Sequence, residues 1–496
     1  MKTKSVIVIG AGIGGLTAAI HLARRGLHVT VLEKNSHPGG RCDRFTREGH
    51  RFDTGPTLFV MPLLYEAEFR LLGTSMREQL DLQRVDPTYH LVFDDGRQLA
   101  LTSDLKSMRD VLESFQPGSF AGFLRYLQEG ERHYQLVMDH LVNCDFRKAS
   151  DLFNLQNLLM VPRLKPLAHH YRNMSSYFDD PRLKSAFTFQ DIYMGLSPFE
   201  APATYSMMSY TELAHGVWYP KGGMYRIAES LTELARLAGV EFLFNAGVEQ
   251  IATNPGHAQG VLLASGEHLK ADVVLANADL PYVYQNLLPK DGTGEKFAHK
   301  QYSCSVLSFF WGVDQPYEQL APHTLFLADD YRQNFESIDR DLSLPANPSL
   351  YLHAPARLDP SMAPPGQDTL TAIVPVGHIN EAEGQDWGLL REEARQHVFR
   401  RLRTIGISDL ESHIKFEESF TPLSWRKRYN LVKGSTHGLA HTLNQMAYFR
   451  PSNRHPRYEN LYFVGASTHP GTGIPTAIVS GRLVSDRIMD DLRVGH

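Results

Sequence analysis

A short apolar, β-branched run at residues 4–9 leads into Gly10-Ala11-Gly12-Ile13-Gly14-Gly15, and apolar residues then recur at helical spacing over 16–25 before Gly26. This pattern predicts a strand, a tight turn and a helix. A second β-branched run at 29–32 ends on Glu33 and completes a βαβ unit. Residues 241–244 and 247–252 read as strands, 225–238 as a helix, and 271–278 as a buried strand entering a turn. Near the end of the chain, an apolar strand at 460–464 feeds a second glycine-rich segment, 465–475, followed by a helical run to about Met489. Residues 104–214 show apolar positions at three-and-four spacing with few β-branched runs, which predicts a helical insertion. Alternation at 305–313, 349–353 and 369–374 predicts a second sheet, with proline-rich connections such as Met362-Ala363-Pro364-Pro365.

A chain of 496 residues exceeds one simple core and implies two or three structural units. Its 42% hydrophobic and 21% charged residues are those of an ordered globular protein, and a net charge of -5 argues against a polyanion-binding surface, so nucleic acid is not an expected partner. Cys42, Cys144 and Cys304 match no zinc spacing and are too few to staple a secreted fold, which points to a reducing cytoplasm and to no metal. The apolar residues 6–20 are interrupted by glycines and lack a small-residue cleavage site, so they read as structure rather than as a leader. No run reaches the roughly 18 to 20 apolar residues needed to span a bilayer, so any membrane contact is expected to be peripheral.

The glycines have distinct tasks in a dinucleotide site. Gly10 permits the turn, Gly12 and its neighbour Gly14 leave the backbone open to a pyrophosphate, and Gly15 lets the helix approach the strand. The helix N-terminus then offers free N–H groups and a positive pole to the phosphates. Glu33, beside Lys34, can accept hydrogen bonds from ribose hydroxyls and would repel a 2′-phosphate, so FAD or NAD fits and NADP does not. Downstream, Gly40 and Arg41 stand on a Gly-Gly turn that can bring a planar guanidinium to a pyrophosphate, and the turn at Gly55-Pro56-Thr57 can lay bare backbone against a flat ring. The closing segment places Gly465 and Ala466 after a strand and Gly473-Ile474-Pro475 at a helix start, where proline costs no hydrogen bond and the helix pole would favour an anionic reduced flavin.

The Gly-Gly-Arg segment after the acidic strand end resembles the flavoprotein superfamily of amine oxidases and carotenoid desaturases. Thr468-His469-Pro470-Gly471 with Gly473-Ile474-Pro475, and the central Trp218-Tyr219-Pro220-Lys221-Gly222-Gly223, narrow the resemblance to the bacterial-type phytoene desaturases over essentially the whole chain. Cys42 and Thr54 depart from the small apolar residue and the alanine expected at those places. The resemblance implies FAD, an α/β architecture with a discontinuous Rossmann-type FAD-binding domain (a GR2-like flavoprotein fold), a mixed-sheet substrate domain and a helical membrane-associating insertion. The corresponding boundaries are 1–75, 216–290 and 455–496 for the cofactor, 76–103 and 291–454 for the substrate, and 104–215 for the insertion. It also implies that the backbone of Val248 meets the adenine and that Asn277 lies near the adenosine.

Within the insertion, residues 146–174 interleave Arg147, Lys148, Arg163, Lys165 and Arg172 with Leu152, Phe153, Leu155, Leu158, Leu159, Met160 and Val161. Composition alone fits a core helix with a solvated edge; a lipid substrate would make the stretch membrane-facing, with Ser150 or Asp151 capping a short helix that Pro162 ends. The implied activity is oxidation at CH–CH groups: desaturation of a long polyene such as phytoene by hydride transfer to flavin N5, with quinone or oxygen as electron acceptor, in the cytoplasm at the membrane surface. A carotene isomerase or oxidase of the same family, and a non-catalytic prenyl-lipid carrier, are the alternatives. No Ser-His-Asp order, metal spacing or P-loop is present to carry other chemistry. Asp53, His437 and His469 are the titratable candidates for a proton acceptor, and none is assigned as a catalytic residue.

Overall fold

The computed structural model describes residues 3–290 and 292–494. Its first sheet is parallel throughout, with strands in the order Leu461–Phe463, Val273–Ala276, Ser5–Ile9, His28–Leu32 and Glu241–Leu243. The strand Val273–Ala276 is buried along its full length, as a parallel strand covered on both faces must be. Helices Ile13–Arg24 and Ile474–Val494 lie against one another over this sheet. At Gly481 a Cβ would come within 2.9 Å of the Gly14 carbonyl, so the contact requires glycine there. A three-stranded antiparallel meander, Val248–Asn254, His257–Leu263 and His268–Lys270, adjoins this sheet.

The second large sheet has seven strands in the order Ile414–Phe420, Ser305–Val313, Asp368–Val376, Leu350–His353, His323–Leu327, Tyr89–Phe93 and Gln98–Leu101. One pair is parallel, His323–Leu327 with Tyr89–Phe93, and the sheet is therefore mixed. Helix Trp387–Arg403 covers one face through Val398, Phe399 and Leu402 against Trp311 and Phe309. A ribbon of Leu82–Val85 with Val217–Pro220 links the substrate side to the cofactor side.

No strand occurs among residues 104–215; the segment is helical, with Ser119–Val137 its longest element. One detail differs from expectation. Pro162 does not end a helix: it lies inside Leu155–Leu164, whose cap is Asn154, accepting from Asn157 N at 2.9 Å. Proline there removes one backbone bond, and the last turn is still closed by Lys165 N to the Val161 carbonyl at 3.2 Å; the chain then leaves through Lys165 at φ 49°. Asp151 belongs to a separate short helix, Ala149–Leu152, and accepts from Arg147 N and Lys148 N at 2.8 and 2.9 Å. Among the described residues no helix is long and apolar enough to cross a membrane.

Candidate functional site

Both glycine turns open onto one cavity of about 800 Å³. Strand Ser5–Ile9 hands the chain to Gly10 at φ 98°, and Val464 hands it to Gly465 at φ 99°, a region closed to most side chains. Gly12 precedes helix Ile13–Arg24 in extended conformation, no side chain caps the helix, and its first turn holds no acid. Its leading N–H groups are therefore free for an anion. Gly10, Gly12, Gly14, Gly40, Gly465, Ala466, Gly473, Ile474 and Pro475 all line the cavity. Gly15 does not; a Cβ there would stand 2.4 Å from the Gly10 carbonyl, so its part is to close the helix onto the turn.

Asn277 joins these turns. Its backbone N–H donates to Ile9 O at 2.8 Å and its Nδ2 to Gly10 O at 3.1 Å. The same amide lies where Cβ atoms at Gly12, Gly15 and Gly465 would stand, within 2.9 Å of each. One side chain thus occupies the space that three glycines leave, besides lining the cavity.

Glu33 ends its strand buried, with one carboxylate oxygen accepting Ala11 N at 2.8 Å and the other Asn35 N at 2.9 Å. Two backbone donors leave acceptor capacity on both oxygens. The adjoining Lys34 reaches Asn430 Oδ1 at 2.9 Å and the Lys427 carbonyl at 3.2 Å. Ala246, Gly247, Val248 and Ala264 form an uncharged slot beside Glu33 and Lys34 in the same cavity. Arg41 donates from Nη1 to the Thr436 carbonyl at 2.7 Å and, among the described residues, forms no ion pair. Burial depresses its pKa, and Asp279 and Tyr429 oppose that fall. A half-buried guanidinium on the cavity wall with four N–H donors to spare fits a pyrophosphate. Gly55, Pro56 and Thr57 also line the cavity, and Thr57 Oγ1 bonds Tyr351 at 2.8 Å.

Beyond Thr57 the same cavity turns apolar, walled by Phe189 from the insertion and by Leu325, Phe335 and Ile373 from the second sheet and its helix. Leu141, Leu164, Pro166, Leu443 and Met446 also line it.

The three titratable candidates separate clearly. Asp53 does not line the cavity; it accepts Met224 N at 2.9 Å and Tyr225 N at 3.1 Å and so braces the Gly222-Gly223 turn. Burial raises its pKa to about 6 against those hydrogen bonds. His437 and His469 do line the cavity, but burial lowers each to about 4, helped at His437 by the Arg41 charge. Neutral imidazoles of such low basicity are poor proton acceptors near neutrality. Cys42 and Thr54 both line the cavity; Cys42 donates its thiol to Met224 O at 3.4 Å, and Thr54 Oγ1 contacts Tyr429 OH at 3.3 Å, so both departures from the motif find partners. Sequence reasoning passed over a buried carboxylate, Glu212, and the phenols Tyr89 and Tyr193 joined to it. No motif marks them, because Tyr89 comes from strand Tyr89–Phe93 and Tyr193 and Glu212 from two separate turns of the insertion.

The family model for flavin containing amine oxidoreductase matches residues 13–489. A phytoene desaturase of Fusarium fujikuroi is 40% identical over 98% of this chain and 90% of its own length. A zeta-carotene-forming phytoene desaturase of Myxococcus xanthus is 41% identical over 98% and 94%, and a 4,4′-diapophytoene desaturase of Staphylococcus aureus is 34% identical over 99% of both chains. Among solved structures, a putrescine oxidase bound to putrescine superposes with a TM-score of 0.65 at 15% identity, covering 98% of this chain and 99% of that one, a likeness of fold alone. With relatives matched over nearly their full lengths and the two glycine turns converging on one cavity, this chain belongs to the flavin-containing amine oxidoreductases, in the group of the phytoene desaturases.

Proposed function

We propose that this protein is an FAD-dependent oxidoreductase that desaturates a long polyene of the phytoene class. The observation that carries the reading is the single cavity, polar and glycine-walled at one end and apolar at the other. FAD, when bound, supplies the hydride acceptor. The chain's own residues bind and orient. Gly10, Gly12, Gly14, Gly40 and Arg41 hold the pyrophosphate, with Gly15 and Asn277 fixing the turns behind it. Glu33 and Lys34 take the ribose side, and the backbone at Val248 meets the adenine. Gly55-Pro56-Thr57 with Gly465, Ala466 and Gly473-Ile474-Pro475 hold the ring, and the apolar walls keep water from it. In this reading residues 1–75, 216–290 and 455–496 form the cofactor unit, 76–103 and 291–454 the substrate unit, and 104–215 the insertion. The strand membership of the two large sheets supports that division.

The substrate reaches the cavity from a lipid surface. Phe153, Leu155, Leu158, Leu159 and Leu167 are each more than 60% exposed, and the Phe153 ring meets the exposed Phe449 at 6.1 Å. This patch shares helix Leu155–Leu164 with Leu164 and reaches Phe449, a few residues from Leu443 and Met446, and all three of Leu164, Leu443 and Met446 line the cavity; Lys148, Arg163 and Arg172 are interleaved in sequence. Apolar area flanked by cations suits the surface of an anionic bilayer. The protein acts there as a cytoplasmic, peripheral enzyme, with a quinone or oxygen taking the electrons. The deciding experiment is anaerobic mixing of the FAD-loaded protein with phytoene in liposomes, followed by chromatography of the pigments. Bleaching of the flavin with longer polyenes as products is expected. Isomers appearing only after the flavin is reduced beforehand would replace this reading with an isomerase.

A further inference from the structure

Desaturation removes a hydride and a proton from neighbouring carbons, and the histidines on the cavity wall are too weakly basic to take the proton. A hydrogen-bonded chain runs from the cavity wall to a buried carboxylate. Tyr193, which lines it, bonds the fully buried Tyr89 at 2.8 Å between hydroxyls, and Tyr89 bonds Glu212 Oε1 at 2.8 Å. Gln190 Nε2 donates to the other carboxylate oxygen at 3.0 Å. Glu212 stands on a single π-helical turn, Thr211–His215, and is itself buried. Tyr193 lines the same cavity as Tyr351, whose hydroxyl bonds Thr57 of the cofactor wall.

Hydrogen counting fixes the direction of this chain. A carboxylate only accepts, so with Glu212 ionised the single Tyr89 hydrogen goes to it, and the Tyr193 hydrogen goes to Tyr89. The Tyr193 oxygen then has only acceptor capacity left for the cavity. With Glu212 protonated, both bonds of the chain reverse and Tyr193 becomes a donor to the cavity.

We propose that Tyr193 is the catalytic proton acceptor of the desaturation and that Glu212, reached through Tyr89, stores the proton. The inference rests on the desaturase reading. FAD, when bound, would supply the two-electron acceptor for the hydride of one C–H bond. The neighbouring C–H bond breaks, and its electron pair becomes the new C=C bond of the oxidised polyene. Its proton goes to the Tyr193 oxygen as the Tyr193 proton moves to Tyr89 and that of Tyr89 to Glu212. After product leaves, the reverse shift hands the proton to water entering the emptied cavity.

Glu212 suits the storage role. Burial pushes it up to about 7, opposed only by the hydrogen bonds from Tyr89 and Gln190. The groups facing the chain from other elements carry no charge near neutrality. Phenols Tyr193 and Tyr351 are raised by burial, and the His323 ring, 6.1 Å from that of Tyr89, is held far below its usual value by burial and by His353.

Two measurements test the proposal. Infrared spectra of the FAD-loaded protein without substrate should show a carboxylic acid band titrating near pH 7 that Glu212→Gln removes. In anaerobic single turnover with phytoene liposomes, Glu212→Gln and Tyr89→Phe, each with full flavin content, should slow bleaching roughly a hundredfold. Both should also lose the rise in rate that wild type shows through neutral pH. Bleaching by either variant at the wild-type rate, or the lack of such a band, overturns the relay while leaving the desaturase reading intact. A wild-type flavin that phytoene never bleaches overturns both.

Discussion

The cofactor end of the cavity is walled largely by backbone, at Gly10, Gly12, Gly40 and Gly465, and the substrate end by side chains such as Phe189, Leu325, Phe335 and Ile373. At the first end there is no room for change, since a Cβ at Gly15 or Gly465 would meet fixed atoms within 2.8 Å or less. At the second end the wall consists of side chains standing on sheet and helix, and replacing one alters the shape of the space without moving the scaffold. A family that keeps its cofactor while varying its substrate would be built in this way: the constant ligand on backbone, the variable one on side chains.

Substitutions can break this contrast. The largest effect is expected of Gly15→Val, which touches no ligand yet drives a side chain into the Gly10 carbonyl. The purified protein should be colourless, and urea should unfold it at a stability lower by about 3 kcal/mol. Asn277→Ala removes the bond to Gly10 O and the amide that fills the space between the two turns. It should cost about 1 to 3 kcal/mol and weaken flavin retention about tenfold, read by flavin release on dilution. Asp53→Asn should also destabilise by about 1 to 3 kcal/mol, because one of its two backbone donors loses its acceptor. Its pH dependence carries a sign. The wild-type carboxyl is raised from 3.8 to about 6, so the folded state binds more protons than the unfolded state between those values. Wild-type stability therefore gains from Asp53 below that window and loses the gain as pH rises through it, so the deficit of the Asn variant should shrink from pH 4 to pH 6, measurable by urea unfolding.

At the substrate end the same size of change should leave the cofactor alone. Ile373→Trp narrows the apolar space and should keep full flavin content while raising KM for phytoene about tenfold, an effect a steady-state assay separates from kcat. Loss of flavin in this variant would erase the distinction between the two ends. The smallest intramolecular effect is expected of Leu158→Ser with Leu159→Ser. Both side chains are about two-thirds exposed, so stability and flavin content should be unchanged while sedimentation with anionic vesicles falls about tenfold.

The pair of glycine turns was legible in the chain because each is a local event. A β-branched run, a glycine that takes positive φ and a helix start follow one another within a dozen residues, and their geometry depends on little else. Glu33 and Arg41 were readable for the same reason, each at a fixed offset from such a turn. Pro162 was misread because a proline rule applied to one residue does not contain the cap at Asn154 or the left-handed exit at Lys165. Asp53 drew attention as a titratable group near the cofactor motifs, yet its partners, Met224 N and Tyr225 N, lie about 170 residues away and turn it toward the scaffold.

By itself, then, the sequence determined the dinucleotide turns and the order of the elements, all set by neighbours along the chain. Tertiary structure alone decided that Asn277 knits two distant turns together, that apolar strands from another sheet prolong the cofactor cavity, and that Glu212 meets Tyr89 from 123 residues away. The reason is physical: a backbone turn is fixed by the conformations open to its own residues, whereas a buried contact between side chains exists only once the folded chain has brought both out of water.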